Sequence, residues 1–365
     1  MTSKKPVQNG TMAYFISPHG FGHAARASAI MTAIQERIPG IRFEIFTLVP
    51  RWFFEESLSG PFSYHTLLTD VGLVQEGPLL ANLPETVTQL DGFLPFAPAQ
   101  LEKLAEKVNR LNCAMILCDI SPLGIAVARK AAIPSVLVEN FTWDWVYREY
   151  AFETPGFKPH MEYLETLFSS ADVHIQTTPV CSKQKVHLTT EPVSRKPRCD
   201  RSKVRKDLGI PGQTPMVLIT MGGIPKDHGF IAQLARQKDI FFVAPGAGTG
   251  FRNFGNVRLL PHHSQFFHPD LVHAADAVVG KVGYSTLAET HHVGVPFGYI
   301  KRTRFHESEI LSEYIETHMT GFVIDEHTFE TGDWISRVSE LLDLPSIRRE
   351  KPNGAEEVAD FILNG

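Results

Sequence analysis

An alternation that occurs twice along the chain is the strongest constraint on its fold. Short apolar runs at 12–17, 43–48, 115–118 and 135–138 are separated by stretches of helical periodicity such as 24–34 and 101–111. Strands that are apolar throughout are buried on both faces, and helices between them cover a parallel sheet from both sides. A polar, basic, proline-bearing stretch follows from 186 to 212. The pattern then restarts, with strand-like runs at 216–220, 240–244, 257–260, 277–280, 297–300 and 322–324. The expected organisation is α/β, with a Rossmann-like domain over 1–190, a linker over 191–212, a second Rossmann-like domain over 213–350 and a closing helix over 351–365.

The length agrees: 365 residues exceed the roughly 100–200 of one typical domain. Thirty-five Lys and Arg against forty Asp and Glu give a net charge of −5, so no global cationic field exists to hold nucleic acid. Any anion site must be local. Cys113, Cys118, Cys181 and Cys199 form no CxxC pair and no zinc-type spacing, which fits a reducing compartment. The apolar stretch MAYFIS after the charged start is short for a signal sequence, and no run of 18 apolar residues occurs. A cytoplasmic enzyme or binding protein is the expectation, with peripheral membrane contact and oligomeric state left open.

Glycine turns between strand and helix carry the chemical signals. The first, SPHGFGHAARASAIM, sets Gly20 and Gly22 around a turn and His23 at the mouth of the next helix. Glycine allows a ligand close to the backbone, and a helix start favours an anion or oxyanion. A plain glycine turn with an incidental histidine reads the same residues as well. The second, GKVGYSTLAETHHVGVP, repeats the logic with Gly283, then Ser285 and Thr286 at a helix start suited to a diphosphate. Glu289 lies one turn beyond Ser285, where a carboxylate can accept bonds from a ribose diol; alternatively, the three residues form a helix cap.

Weaker signals surround these. Gly222 and Gly223 follow the 216–220 run and would let a phosphate approach, or simply make a turn. In KRTRFHESE, Lys301, Arg302 and Arg304 precede His306, Glu307 and Glu309, which suits phosphate and sugar hydroxyls or a solvated loop. Asp119 ends the 115–118 run at the sheet edge that His23 would occupy, where it could fix the imidazole tautomer or cap a helix. NFTWDWVYREY adds aromatics with Asp144 and Glu149, readable as a sugar site or as core. His262, His263 and His268 have no companion ligands and no DxD motif adjoins a strand, so no metal is expected.

Taken together, GFGHAARA, NFTWDWVYREY, the KVRKDLGI run and GKVGYSTLAE resemble GT-B glycosyltransferases of the MurG and UDP-glycosyltransferase type, and in particular the glycosyltransferase-like N-terminal domain of L-arabinokinases. The resemblance runs from about 12 to 324 and implies two Rossmann-like domains facing across a cleft. It implies His23 as the base that deprotonates an acceptor hydroxyl, with Asp119 orienting it. It further implies Glu289 on the ribose, Ser285 and Thr286 on the diphosphate, and His306, Glu307 and Glu309 on the donor sugar; Gly20, Gly22, Gly222, Gly223 and Gly283 are, from their turns alone, the expected points of close ligand approach. Where that family often carries Asp-Gln or Gln-Gln, this chain has HESE, which leaves the sugar open.

The activity so implied is inverting, metal-independent transfer of a sugar from a nucleoside diphosphate sugar to an acceptor hydroxyl, with no cofactor beyond the donor. UDP over other nucleotides rests on the resemblance alone. A non-catalytic nucleotide-sugar sensor and a nucleotide-sugar epimerase are the alternatives.

Overall fold

The computed structural model describes residues 10–75, 81–221, 229–247, 250–302, 304–347 and 350–364. These divide into two compact units, one running to Ser194 and taking in the chain again from Pro352, the other spanning Arg195–Lys351. Each unit is built on its own seven-stranded sheet.

In the first unit the strands are β1 (Thr11–Ile16), β2 (Arg42–Thr47), β3 (Phe62–Thr66), β4 (Cys113–Asp119), β5 (Ser135–Glu139), β6 (Val173–Thr177) and β7 (Leu188–Thr190). They lie in the order β3-β2-β1-β4-β5-β6-β7, every pairing parallel. The second unit holds β8 (Met216–Thr220), β9 (Phe241–Pro245), β10 (Arg252–Phe254), β11 (Val257–Leu260), β12 (Ala277–Lys281), β13 (Phe297–Ile300) and β14 (Gly321–Val323). Their order is β10-β11-β9-β8-β12-β13-β14, parallel except for the β10 edge.

Both sheets are doubly wound: the strand order reverses direction between β1 and β4, and again between β8 and β12. At such a switch point the flanking connections leave on opposite faces, opening a crevice at the strands' carboxyl ends. The central strands are apolar because helices cover both sides. Met12 through Ile16 are fully buried, as are Val217, Leu218, Phe242 and Val279.

The expected strands fall on observed ones, displaced by a residue or two at their ends. β3, β6, β7 and β10 carry no all-apolar run and escape the pattern. The stretch expected to link the domains contains a helix, Arg201–Asp207, and the chain passes from one unit to the other between Ser194 and Arg195. The last helix, Gly354–Asn364, returns to the first unit and packs on the helix Phe21–Arg37. Among the described residues no helix is long and apolar enough to cross a membrane.

Candidate functional site

At the β1/β4 switch point the turn after β1 needs Gly20, whose φ of 76° with ψ of −177° is open to almost no other residue. A side chain at Gly20 would meet nothing within 4 Å, so this wall of the crevice is open. The helix Phe21–Arg37 starts at once, with Gly22 in its first turn and His23 facing inward. Asp119 closes β4. It does not cap the next helix, which Ser121 caps instead by accepting from the Gly124 amide. Ile120, immediately after, is held at φ 41°, a costly setting for a β-branched residue of the kind that accumulates at functional sites.

His23 and Asp119 meet: Nδ1 lies 2.9 Å from Oδ1, with Asp119 fully buried and His23 8% exposed. A carboxylate on Nδ1 selects the tautomer that leaves Nε2 free to accept a proton. Sequence reasoning missed the third member of the cluster, Arg26, although the motif contains it. Arg26 grips Asp119 with two bonds, Nε to Oδ2 at 2.8 Å and Nη2 to Oδ1 at 2.7 Å, and donates from Nη1 to Asn140 Oδ1 at 2.6 Å. Burial alone would raise the Asp119 carboxyl, but the Arg26 charge and the hydrogen bonds from His23 and Arg26 hold it below the ordinary aspartate value. The usable signal was spacing, since position 26 lies one helical turn from His23 and so shares its inward face.

Asp144, in the first turn of the helix Trp143–Tyr150, is 6% exposed, and burial pushes its carboxyl up. Its Oδ1 finds no hydrogen-bond partner among the described residues. Trp143 and Tyr147 are core, at 1% exposure each.

In the second unit the helix Tyr284–Val293 begins at the β8/β12 switch point with Gly283 as its N-cap. No side chain caps it, so Ser285 and Thr286 sit in the first turn as non-capping hydroxyls, contrary to the cap reading. Gly283 has open space where a side chain would project. Gly280, just before, is a strand residue of β12, where an added Cβ would sit 1.9 Å from the Thr220 carbonyl oxygen. Gly222 and Gly223 lie outside the described residues.

Glu289 is 3% exposed and engaged on both oxygens. Arg195 donates to Oε1 at 3.3 Å and 3.2 Å through Nε and Nη2, and His268 Nδ1 lies 2.7 Å from Oε2. His268 Nε2 in turn lies 3.3 Å from Thr220 Oγ1 at the end of β8. Burial works to raise the Glu289 carboxyl, yet Arg195 and His268 keep it below the usual value. Arg195 and His268 are thus residues of this site that the sequence reading passed over as linker and isolated histidine.

Around the β13 exit, Glu307 and Arg302 are buried, His306 and Glu309 exposed, and Lys301 pairs with Glu309 at 3.0 Å. Lys281, ending β12, is drawn down to about 8 by burial and then by the Arg302 charge, with Glu307 opposing. Among the described residues no group of three or more His, Cys, Asp or Glu could hold a metal ion.

No family model matches the chain. It is 26% identical over 360 residues to an Arabidopsis thaliana L-arabinokinase, covering 96% of this chain but 34% of that protein, so it spans about a third of its relative's length. Among solved structures, Arabidopsis thaliana UGT89C1 complexed with UDP-L-rhamnose superposes with a TM-score of 0.62 at 15% identity over 99% of each chain. Spinosyn forosaminyltransferase SpnP gives 0.60 at 15% identity over 97% of this chain and 94% of its own. A UDP-glucose:anthocyanidin 3-O-glucosyltransferase in complex with UDP gives 0.60 at 13% identity, covering 98% and 94%. The resemblance read from the motifs therefore extends to the architecture, and the fold is the two-sheet α/β arrangement of the GT-B glycosyltransferases.

Proposed function

We propose that the protein transfers a sugar from a nucleoside diphosphate sugar to an acceptor hydroxyl, by a single inverting displacement that uses no metal. The buried His23–Asp119 pair at a switch point carries this reading. His23 Nε2 takes the acceptor proton as the hydroxyl oxygen attacks the anomeric carbon, and the bond from that carbon to the diphosphate breaks, its electrons leaving with the diphosphate. Asp119 stabilises the imidazolium so formed, while Arg26 fixes Asp119 and offsets part of its charge.

The leaving diphosphate meets the start of the helix Tyr284–Val293, whose first amides lack intrahelical partners, together with the Ser285 and Thr286 hydroxyls and the Lys281 ammonium. Glu289 accepts from the ribose, and His306, Glu307 and Glu309 contact the sugar. Gly20 and Gly283 leave room for substrate. A UDP sugar is the proposed donor because UDP-L-rhamnose and UDP are named in the complexes of the structural relatives. The four free thiols suit a cytoplasmic setting.

The second reading, a nucleotide-sugar sensor, uses the same donor site without turnover; in either case Glu289 meets the ribose with the lone pairs that Arg195 and His268 leave. Incubating the protein with UDP sugars and a panel of hydroxyl acceptors, while measuring UDP release, separates the two. Transfer predicts acceptor-dependent UDP release and a product of inverted anomeric configuration. Tight binding without release would replace the enzyme by the sensor.

A further inference from the structure

The mechanism above gives Asp70 no task, yet it lies beside His23. The segment from Thr69 to Gly72 crosses the carboxyl ends of β1 and β4. Thr69 Oγ1 donates to the Ile16 carbonyl at 2.7 Å, and the Ser121 hydroxyl to the Thr69 carbonyl at 3.2 Å. This places Asp70, 2% exposed, under the crevice of the first unit. One carboxylate oxygen accepts from Ser17 Oγ at 3.1 Å and the other from Trp143 Nε1 at 3.1 Å.

Both donors are neutral, so the ionised carboxylate is buried at a cost that a purely structural contact would not require. What it gains is position. Ser17 is the first residue after β1, and the Trp143 ring stands 6.5 Å from the His23 ring and 5.2 Å edge-on from His19. Gly72, at φ 64°, leaves no room for a side chain beside the His19 ring, and its carbonyl accepts from the Tyr147 hydroxyl at 2.7 Å. One carboxylate thus ties the turn that carries His19 and His23 to the indole that walls them.

We propose that Asp70 is a positioning residue of the His23 site, gripping Ser17 and the Trp143 indole so that the wall beside the imidazole is fixed in place. The groups that face it are His23 from the helix Phe21–Arg37, Asp119 at the end of β4 with Arg26 bound to it, and Tyr147 from the helix Trp143–Tyr150. Burial raises the carboxyl to about 6, against the pull of Ser17, His23 and Trp143, so its proton is exchanged within an accessible pH range.

Indole N–H resonances of the ¹⁵N-labelled full chain test this without any substrate. Trp143→Phe assigns the signal. In the wild type the Trp143 resonance is expected to move through an inflection as Asp70 ionises, and in Asp70→Asn the inflection is lost while the other indoles are unchanged. A Trp143 resonance that ignores pH would overturn the proposal.

The second arm rests on the transfer reading. Asp70→Asn and Trp143→Phe should each lower kcat by roughly 10- to 100-fold through misplacement of the site, leave UDP affinity unchanged and displace the acid limb of the pH–rate profile. A folded Asp70→Asn protein with wild-type kcat and pH profile would equally overturn the positioning role. A wild type that transfers to no acceptor removes the transfer reading and leaves the indole titration to decide Asp70.

Discussion

At the scale of single residues, the pair expected from the motif is present but belongs to a larger cluster. His23→Ala should lower transfer by roughly 10²–10⁴-fold with UDP affinity unchanged, as for loss of a general base; unaltered turnover would assign the proton to another group. Arg26→Ala makes a different prediction. It strands the fully buried Asp119 carboxylate, so unfolding by denaturant should show a loss of about 3–5 kcal/mol. Arg26→Lys should recover only part of it, because a lysine cannot reproduce the two-pronged grip. Asp119 was legible as the end of a strand and His23 as the start of the helix after a glycine turn, both positions that periodicity locates. Arg26, Arg195 and His268 were not, because a side chain that works through a carboxylate is recognisable only from that partner, and the partners lie 93, 94 and 21 residues away in sequence.

At the scale of elements, legibility follows burial. β1, β4, β5 and the central strands of the second sheet are built around unbroken apolar runs and stand out from the sequence, and β2 (RFEIFT) shows through Phe43, Ile45 and Phe46. β3 (FSYHT) and β6 (VHIQT) are part-exposed and polar, so nothing in their composition separates them from loop. The helix start at Tyr284 yields the sharpest element-level test. Because neither Ser285 nor Thr286 caps it, replacing both with alanine should leave the melting temperature near that of the wild type. The same variant should lose affinity for UDP but little for uridine, measurable by calorimetry. A stability loss of the roughly 0.5–2 kcal/mol typical of a lost cap, with ligand preference intact, would restore the capping role. Gly280 supplies the contrast: its replacement by alanine pushes a methyl into the Thr220 carbonyl, so β12 and β8 must separate and the second unit should be destabilised.

At the scale of the whole molecule, opposite pH responses are superposed. Asp119 and Glu289 titrate lower in the folded protein than in the unfolded chain, so the stability they contribute is present above the ordinary carboxylate range and is lost as pH falls below it. Asp70 is raised, so its contribution is present at acid pH and is lost as pH rises through about 6. Asp70→Asn should therefore flatten the decline in stability between about pH 4 and 6 while leaving the acid unfolding limb in place, as equilibrium denaturation across pH would show.

The chain's path adds a further constraint, because the first unit is completed only after the second has been threaded. Asn353, 8% exposed, secures the return: its Oδ1 accepts from the Ser194 and Ala355 amides at 3.2 and 3.0 Å, and its Nδ2 donates to the Ser194 carbonyl at 2.8 Å. Gly354 lets the backbone pass, since a Cβ there would lie 2.0 Å from the Glu191 carbonyl oxygen. Beyond it Val358 and Ala359 are buried in the helix that packs on Phe21–Arg37, the helix that carries His23 and Arg26. Asn353→Ala leaves buried backbone groups without partners, at about 1–3 kcal/mol for each. Hydrogen exchange should then quicken in the helix Phe21–Arg37 and around 188–194, while β8 and β12, which have their own core of Val217, Ile219, Phe242 and Val279, keep their protection. If exchange quickened equally in both sheets, the two units would not be separate cooperative bodies, and the candidate catalytic helix would owe its stability to the whole chain rather than to its own unit.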